Sequence, residues 1–186
     1  MINKELNALI KIAKNHKVGV RFGTEQRYVV NRNKHGYQNR SKGWIEIYIS
    51  ALDIGNGHIK DLNSIGNLMC EALAHELGHF LIAPLGRRYH TNYGIPSERM
   101  RSDAQRRTWN LDETKADIVG NYLLCKVGYA KRMHVPGYSL TGRYAAPLGK
   151  VAWKWWKLEG KSQIELMLTG THSQLTKRRM SSQKLK

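Results

Sequence analysis

The chain has 186 residues and a formal net charge of +17, with 31 Lys and Arg against 14 Asp and Glu. This length suits one domain with a hydrophobic core, and 41% hydrophobic residues argue against a disordered chain. The sequence has no apolar run that could span a bilayer and no signal-peptide pattern, and its two cysteines make no disulfide framework, so we expect a cytoplasmic protein with no membrane partner.

The first predicted elements are a helix and several strands. Apolar residues recur at helical spacing over residues 3–16, which predicts an amphipathic helix. Short strands are predicted over 18–22 and 28–31, and the run WIEIYIS predicts a clearer strand over Trp44–Ser50. The polar, basic segment NRNKHGYQNRSKG before it is predicted to be a loop or a hairpin tip.

The second half of the chain is predicted to be mainly helical. A long helix fits residues 64–83 and ends before Pro84. The Arg-rich stretch 84–109 is predicted to be irregular, with a short helix around 97–107, and a second long helix fits 111–126. A Trp-rich helical turn is predicted around 151–158.

One motif in the first long helix suggests chemistry. The run AHELGHF, residues 74–80, contains the pattern H-E-x-x-H. Residues four apart lie on one side of a helix, so His75 and His79 can bind the same metal ion. Imidazole suits Zn²⁺, and Glu76 between them can act as the base on a metal-activated water. The alternative is a pair of buried histidines that hydrogen-bond to backbone or carboxylate groups.

A zinc hydrolase needs a third protein ligand. A third histidine at the metzincin spacing is excluded, because Leu85 stands there. Glu113 is the preferred ligand, because it shares a helix face with the small residues Ala116 and Gly120 and with Asp117, which can accept the free ring N–H of a ligating histidine. The other acidic and histidine candidates are His90, Glu98, Asp103, Asp112 and Asp117.

Two alternatives to a Glu113 ligand remain open. Asn110 followed three residues later by Glu113 also fits a capping box at a helix start. His90 is the main rival as third ligand. His90 and Tyr93 are also the preferred candidates for stabilising an oxyanion or contacting substrate, from a pool that includes Tyr89, Tyr122 and His134.

The sequence resembles a known group of enzymes. The run His75-Glu-Leu-Gly-His79-Phe-Leu, preceded by a strand and followed by Glu113-x-x-Ala116-Asp117, resembles the gluzincin metallopeptidases, and most closely the ImmA/IrrE family of regulatory zinc proteases. The resemblance covers roughly residues 1–127.

The resemblance implies an α+β, zincin-like fold. This fold has an N-terminal helix, a small β-sheet, the H-E-x-x-H helix and a second helix with the third ligand. It implies one zinc ion bound by His75, His79 and Glu113, with Glu76 as the catalytic base and Asp117 supporting a ligand. It also implies a protein or peptide substrate, such as a regulatory or DNA-associated protein.

Accordingly, we predict one zinc metallopeptidase domain over residues 1–170, with its metal core at about 44–127. A basic C-terminal extension follows that core, and residues 171–186 form a flexible basic tail.

The charge pattern adds a second hypothesis. Residues 51–83 carry one basic and four acidic side chains, and residues 111–127 carry two and three, so the excess positive charge lies outside both long helices. This basic surface predicts a nucleic-acid partner, either for a binding protein on a zincin scaffold or for a DNA-associated protease of the SprT-like kind with His90 as third ligand. The Trp153, Trp155 and Trp156 cluster could serve nucleic-acid stacking, but core packing is favoured.

Overall fold

The computed structural model describes residues 4–24, 36–39, 44–49, 62–82, 103–133 and 145–169. Within these ranges the chain is largely helical, with one small mixed sheet. In chain order the elements are α1 (Lys4–Asn15), β1 (Gly19–Thr24), β2 (Gly36–Asn39), β3 (Trp44–Ile49), α2 (Leu62–Ile82), α3 (Asp103–Lys126), α4 (Ala145–Trp155), a π-helical turn (Trp156–Gly160) and α5 (Lys161–Leu168).

The predicted N-terminal helix is present as α1. Its apolar stripe of Leu6, Leu9 and Ala13 is fully buried, as the helical spacing requires. After the helix ends, Lys17 adopts a left-handed conformation with φ 59°, and the Val18 N–H donates to the Ala13 carbonyl at 2.9 Å. This turn leads the chain directly into β1.

The sheet has the strand order β1-β3-β2. β3 is central, parallel to β1 and antiparallel to β2. Ile45 and Ile47, two residues apart on β3, are both buried, as alternation along a strand predicts. The loop prediction for the basic segment before β3 is wrong at Gly36–Asn39, which forms β2. This polar edge strand forms by backbone pairing with β3, and its side chains show no hydrophobic alternation that would have predicted it.

Helix α2 is buried on nearly all sides. Leu73, Leu77 and Leu81 are at most 1% exposed, while Ala74 and His79, on other sides of the helix, are 0% and 2% exposed. The helix contacts α1 and the sheet as well as α3. This central position accounts for its apolar composition, which contrasts with the basic character of the rest of the chain.

Helix α3 begins earlier than predicted. One continuous helix from Asp103 to Lys126 replaces the predicted short helix around 97–107 and separate helix from 111. Asn110 therefore lies inside the helix, and the capping-box interpretation of Glu113 is wrong. A single Asn costs only a few tenths of a kcal/mol inside a helix, so it does not start one when neighbouring turns are helical. Gly128, with φ +86°, follows the end of the helix.

The C-terminal helices pack against α3 through aromatic residues. Trp156 is 3% exposed, and its ring lies 5.1 Å from that of Tyr122. The Tyr122 hydroxyl donates to Glu165 Oε1 at 2.9 Å. Core packing is therefore the role of Trp156, and the helical region extends well beyond the predicted turn at 151–158.

Several predictions lie outside the described residues. They concern the strand at 28–31, most of the stretch 84–109 and the tail 171–186. In the described ranges, the structure contains no helix that is both long and apolar enough to cross a membrane.

Candidate metal centre

Two glycines allow α2 and α3 to approach closely. A Cβ atom added to Gly78 would lie 2.4 Å from the carbonyl oxygen of Ala116, and one added to Gly120 would lie 3.1 Å from the carbonyl group of Ala74. Each helix thus places a glycine against the backbone of the other. This contact brings the H-E-x-x-H turn of α2 beside Glu113 and Asp117 of α3.

Three ligand atoms meet at this contact. Nε2 of His75 and Nε2 of His79 lie 3.1 Å apart, and each lies 3.2 Å from Oε2 of Glu113. The two imidazole rings are nearly perpendicular, at 88°. His75, His79 and Glu113 form a group that could hold a metal ion.

Asp117 fixes the orientation of His75. Nδ1 of His75 donates to Asp117 Oδ1 at 2.7 Å. A proton on Nδ1 leaves the lone pair on Nε2, which is the atom that faces Glu113 and His79. Metal-ligating histidines commonly have such a carboxylate on the other ring nitrogen.

The site is strongly polarised. Burial alone would raise the pKa of Glu113, but the charges of His79 and His75 and their hydrogen bonds hold that pKa well below its usual range. Burial alone would lower the pKa of His75, but hydrogen bonds to Asp117 and Glu113 and the negative charge of Glu76 raise it well above 6.5. The carboxylates therefore create an environment that favours positive charge at the point where the three ligand atoms meet.

Glu76 lies next to this point but is not one of the three. Its side chain is buried, with 9% relative exposure. In the described part of the chain the Glu76 carboxylate has no hydrogen-bond partner, and its charge acts on His75. Among the described residues, the interaction of Glu76 is therefore with the His75 side of the site.

The other candidate residues are placed as follows. His90, Tyr93, Glu98, Tyr89 and His134 lie outside the described residues. Tyr122 is engaged with Glu165 and not with the three ligand atoms.

Two further acids belong to these helices. Glu71 is engaged elsewhere, and Asp103 lies outside the residues whose side chains the structure describes. Glu71, one turn before His75, accepts a hydrogen bond from the Tyr129 hydroxyl at 2.8 Å on the surface. Asp103 begins α3, ten residues before Glu113.

The geometry fits one small cation. Ligand atoms held tetrahedrally at 2.0–2.1 Å from one ion are about 3.3 Å from each other, close to the observed edges of 3.1 to 3.2 Å. Two imidazole nitrogens and one carboxylate oxygen form a donor set that Zn²⁺ accepts. Three protein ligands also leave a fourth position for water or substrate.

Sequence reasoning missed one residue of structural importance, Gly78. It occupies a variable position of H-E-x-x-H, where the motif itself gives no signal. The available signal was the pair Ala116 and Gly120 on the partner helix, because a close approach usually needs small residues on both sides.

Comparisons with known proteins add no further assignment. The chain matches no protein-family profile, and no curated protein or solved structure is significantly similar to it.

Proposed function

We propose that this protein is a zinc-dependent endopeptidase of the zincin type, with His75, His79 and Glu113 as zinc ligands and Glu76 as general base. The observation that carries the proposal is the triangle of Nε2, Nε2 and Oε2 atoms with edges of 3.1 to 3.2 Å. The order of the residues along the chain also agrees with the gluzincin resemblance. Glu76 follows His75 directly, and the third ligand, Glu113, lies on the next helix.

The triangle favours a shared ion over a simple hydrogen-bonded cluster. A hydrogen bond joins one donor to one acceptor and prefers a nearly linear arrangement. Three atoms that are mutual neighbours instead face one common point. The hydrogen bond from His75 to Asp117 directs the lone pair of His75 toward that point.

In this proposal each residue has a distinct task in peptide hydrolysis. His75, His79 and Glu113 would hold the zinc ion, which would lower the pKa of a bound water and polarise the scissile carbonyl. Glu76 removes a proton from the attacking water as the new carbon–oxygen bond forms. Glu76 then delivers that proton to the leaving nitrogen as the carbon–nitrogen bond breaks. Asp117 keeps the His75 ring in the ligating orientation and tautomer.

Glu76→Gln separates metal binding from catalysis. The amide keeps the shape of the side chain but cannot take up the proton, so we expect zinc content to stay at the parent level. Cleavage of a quenched-fluorescence peptide library should fall by about 10²-fold or more. A variant that cleaves as fast as the parent would contradict the role of Glu76.

The third ligand is tested by comparing Glu113→Ala with His90→Ala. Loss of stoichiometric zinc in Glu113→Ala, together with retention in His90→Ala, supports the proposed ligand set. The opposite pattern would favour the SprT-like alternative, in which His90 completes the site.

A further inference from the structure

The C-terminal helices carry a row of exposed lysines. Lys150 and Lys154 lie on α4, Lys157 lies in the π-helical turn and Lys161 begins α5, and all four side chains are exposed. Spacings of four, three and four residues place successive lysines about one turn apart on the same side of a helix. The π-helical turn rotates the positions that follow it by roughly one residue, and Lys161 nevertheless stays exposed. At about 1.5 Å per residue, the row is about 16 Å long.

The charge of this lysine row is not neutralised locally. Within the described ranges, none of the four ammonium groups forms an ion pair or a hydrogen bond with another side chain. The acidic residues of the same helices are Glu159 and Glu165. Glu165 already accepts the hydrogen bond from Tyr122, so among the carboxylates of these described helices only Glu159 remains beside the four lysines.

The opposite side of these helices is committed to the core. Ala152 and Ile164 are 0% exposed, and Trp156 and Met167 are each 3% exposed. The lysine row is therefore the outward side of a segment that is anchored on α3. Its position is fixed before any partner binds, which lowers the entropic cost of binding.

We propose that the lysine row binds the phosphate backbone of double-stranded nucleic acid without sequence selectivity. Ammonium groups bind phosphates as point charges. A duplex segment about 16 Å long carries roughly nine phosphate charges on its two strands, at about 1.7 Å of helix axis per charge, so a row of this length has several phosphates within reach. The net charge of +17 adds long-range attraction to the same partner.

The aromatic residues favour a duplex over a single strand. Binding of single strands generally uses exposed aromatic rings on which bases stack. Among the described residues of these helices, the ring of Trp156 is buried, Trp153 and Trp155 are partly buried against the core, and Lys115 Nζ lies 5.0 Å from the Trp155 ring centroid. On the described part of this side, the lysines are therefore the groups that a nucleic acid would contact, and lysines contact phosphates.

The burial pattern favours nucleic acid over a bilayer surface. A helix that lies in a membrane interface needs a continuous apolar face for insertion, whereas the apolar face here packs on the protein core. Val151 and Leu158, 52% and 69% exposed, stand beside the lysines. Such single exposed apolar side chains are common on soluble surfaces.

The test measures binding of a fluorescent mixed-sequence DNA duplex of about 20 base pairs across a range of salt concentrations. Replacing Lys150, Lys154 and Lys157 by Gln should weaken duplex binding about tenfold or more and reduce the salt slope by about 2 to 3. The matched control replaces Lys4, Lys11 and Lys14 by Gln, which removes the same charge from exposed positions of α1. This control should weaken binding much less.

Additional measurements distinguish a loss of duplex binding from misfolding and from binding to other partners. Replacing the same three row lysines by Arg should retain binding, and thermal melts should be unchanged in all variants. Equal weakening by the row and control variants would overturn the proposal. So would tighter binding to single-stranded DNA of the same length, or row-dependent binding to vesicles rich in phosphatidylserine without row-dependent duplex binding. The proposal is independent of the metal centre, and all measurements can use a Glu76→Gln background.

Discussion

At the scale of single residues, the most informative contact is the one between His75 and Asp117. The hydrogen bond of 2.7 Å assigns the proton to Nδ1 and so determines which atom of His75 can act as a ligand. His79 lies one turn further along α2, and both Nε2 atoms lie 3.2 Å from the Glu113 carboxylate. The site therefore depends on an acid that touches the ligands as well as on the ligands themselves.

The first prediction concerns Asp117→Asn. The substitution keeps the size of the side chain but removes the charge that orients the His75 ring, so metal affinity should fall by about 10–100-fold. Competition with a chromogenic zinc chelator measures this change. The control Glu159→Gln removes one exposed carboxylate charge from the C-terminal helices and should leave the affinity near the parent value. An unchanged affinity in Asp117→Asn would show that Asp117 does not support the ligand.

At the scale of secondary-structure elements, the close contact between α2 and α3 positions the site. Gly78 faces the backbone of Ala116, and Gly120 faces the backbone of Ala74. A side chain at Gly78 must move the helices apart, whereas one at Gly120 requires its neighbours to shift by a few tenths of an ångström. Such a shift would also separate Glu113 from the histidines, because the two sets of ligands belong to different helices.

The second prediction follows from the difference between the two glycines. Gly78→Ala should destabilise the protein by about 1–3 kcal/mol and weaken metal binding, because its Cβ would meet a backbone oxygen at 2.4 Å. Gly120→Ala should cost less, since its Cβ would lie 3.1 Å from the nearest atoms. Denaturant unfolding measures both. The exposed control Asn67→Ala on α2 should not destabilise, and equal effects of all three substitutions would contradict the close-packing account.

The third prediction concerns the attachment of the C-terminal helices to α3. The hydrogen bond from Tyr122 to Glu165 should couple the two residues by about 0.5–1.5 kcal/mol in a double-mutant cycle of Tyr122→Phe and Glu165→Ala at neutral pH, because Ala leaves no acceptor for the hydroxyl. A coupling near zero would show that the bond contributes nothing to the attachment.

The same hydrogen bond predicts a dependence on alkaline pH. Burial and Glu165 raise the pKa of Tyr122 to about 12. Because this folded-state pKa is higher than the unfolded value near 10, the stabilisation is complete below about pH 10 and is lost as the pH rises through about 12. Stability of Tyr122→Phe, followed by denaturant unfolding, should therefore decline less steeply over this range than that of the parent. An identical decline would contradict the assignment.

The sequence was sufficient to predict the elements that follow a strong pattern. Helix α1 and strand β3 have clear hydrophobic periodicity, and α2 is a long run of apolar helix formers that ends before Pro84. The predicted bounds of all three agree with the structure within about two residues. Helix α3 extends further than predicted, because tertiary packing continues a helix through residues with weak propensity. Strand β2 depends on backbone pairing with β3, which leaves no local signal.

The candidate site was predictable where one helix supplies the pattern. The spacing of His75 and His79 encodes their proximity directly. The proximity of Glu113 to the two histidines depends on how α2 and α3 pack. In the sequence, the small residues Ala116 and Gly120 on the same helix face as Glu113 indicated this packing only indirectly. The importance of Gly78 depends on the Ala116 carbonyl of another element, which a single sequence does not display.

At the scale of the whole molecule, acidic and basic residues are concentrated in different segments of the sequence. The ligand-bearing parts of α2 and α3 belong to the two acidic segments, while the lysine row lies on the C-terminal helices. Within the described ranges, the lysine row and the three candidate ligands therefore belong to different helices. This separation predicts that nucleic-acid binding and metal binding respond to different substitutions.

The fourth prediction concerns stability and metal removal. A ligand that binds only the folded state stabilises it by about 2.7 kcal/mol at a free concentration one hundred times its dissociation constant. Chelation should therefore lower the melting temperature of the zinc-loaded protein by roughly 5–10 °C. His79→Ala, which lacks one ligand, should show no response to the chelator. A similar response in both proteins would indicate that the metal binds elsewhere.

The central claim is that His75, His79 and Glu113 together hold one zinc ion. The most direct test is the zinc-to-protein ratio of the purified parent, measured by elemental analysis beside Glu113→Ala and Glu76→Gln. We predict about one zinc per chain in the parent and in Glu76→Gln, and strongly reduced zinc in Glu113→Ala. A parent that binds no zinc under zinc-replete conditions, or a Glu113→Ala variant that retains a full equivalent, would contradict the claim.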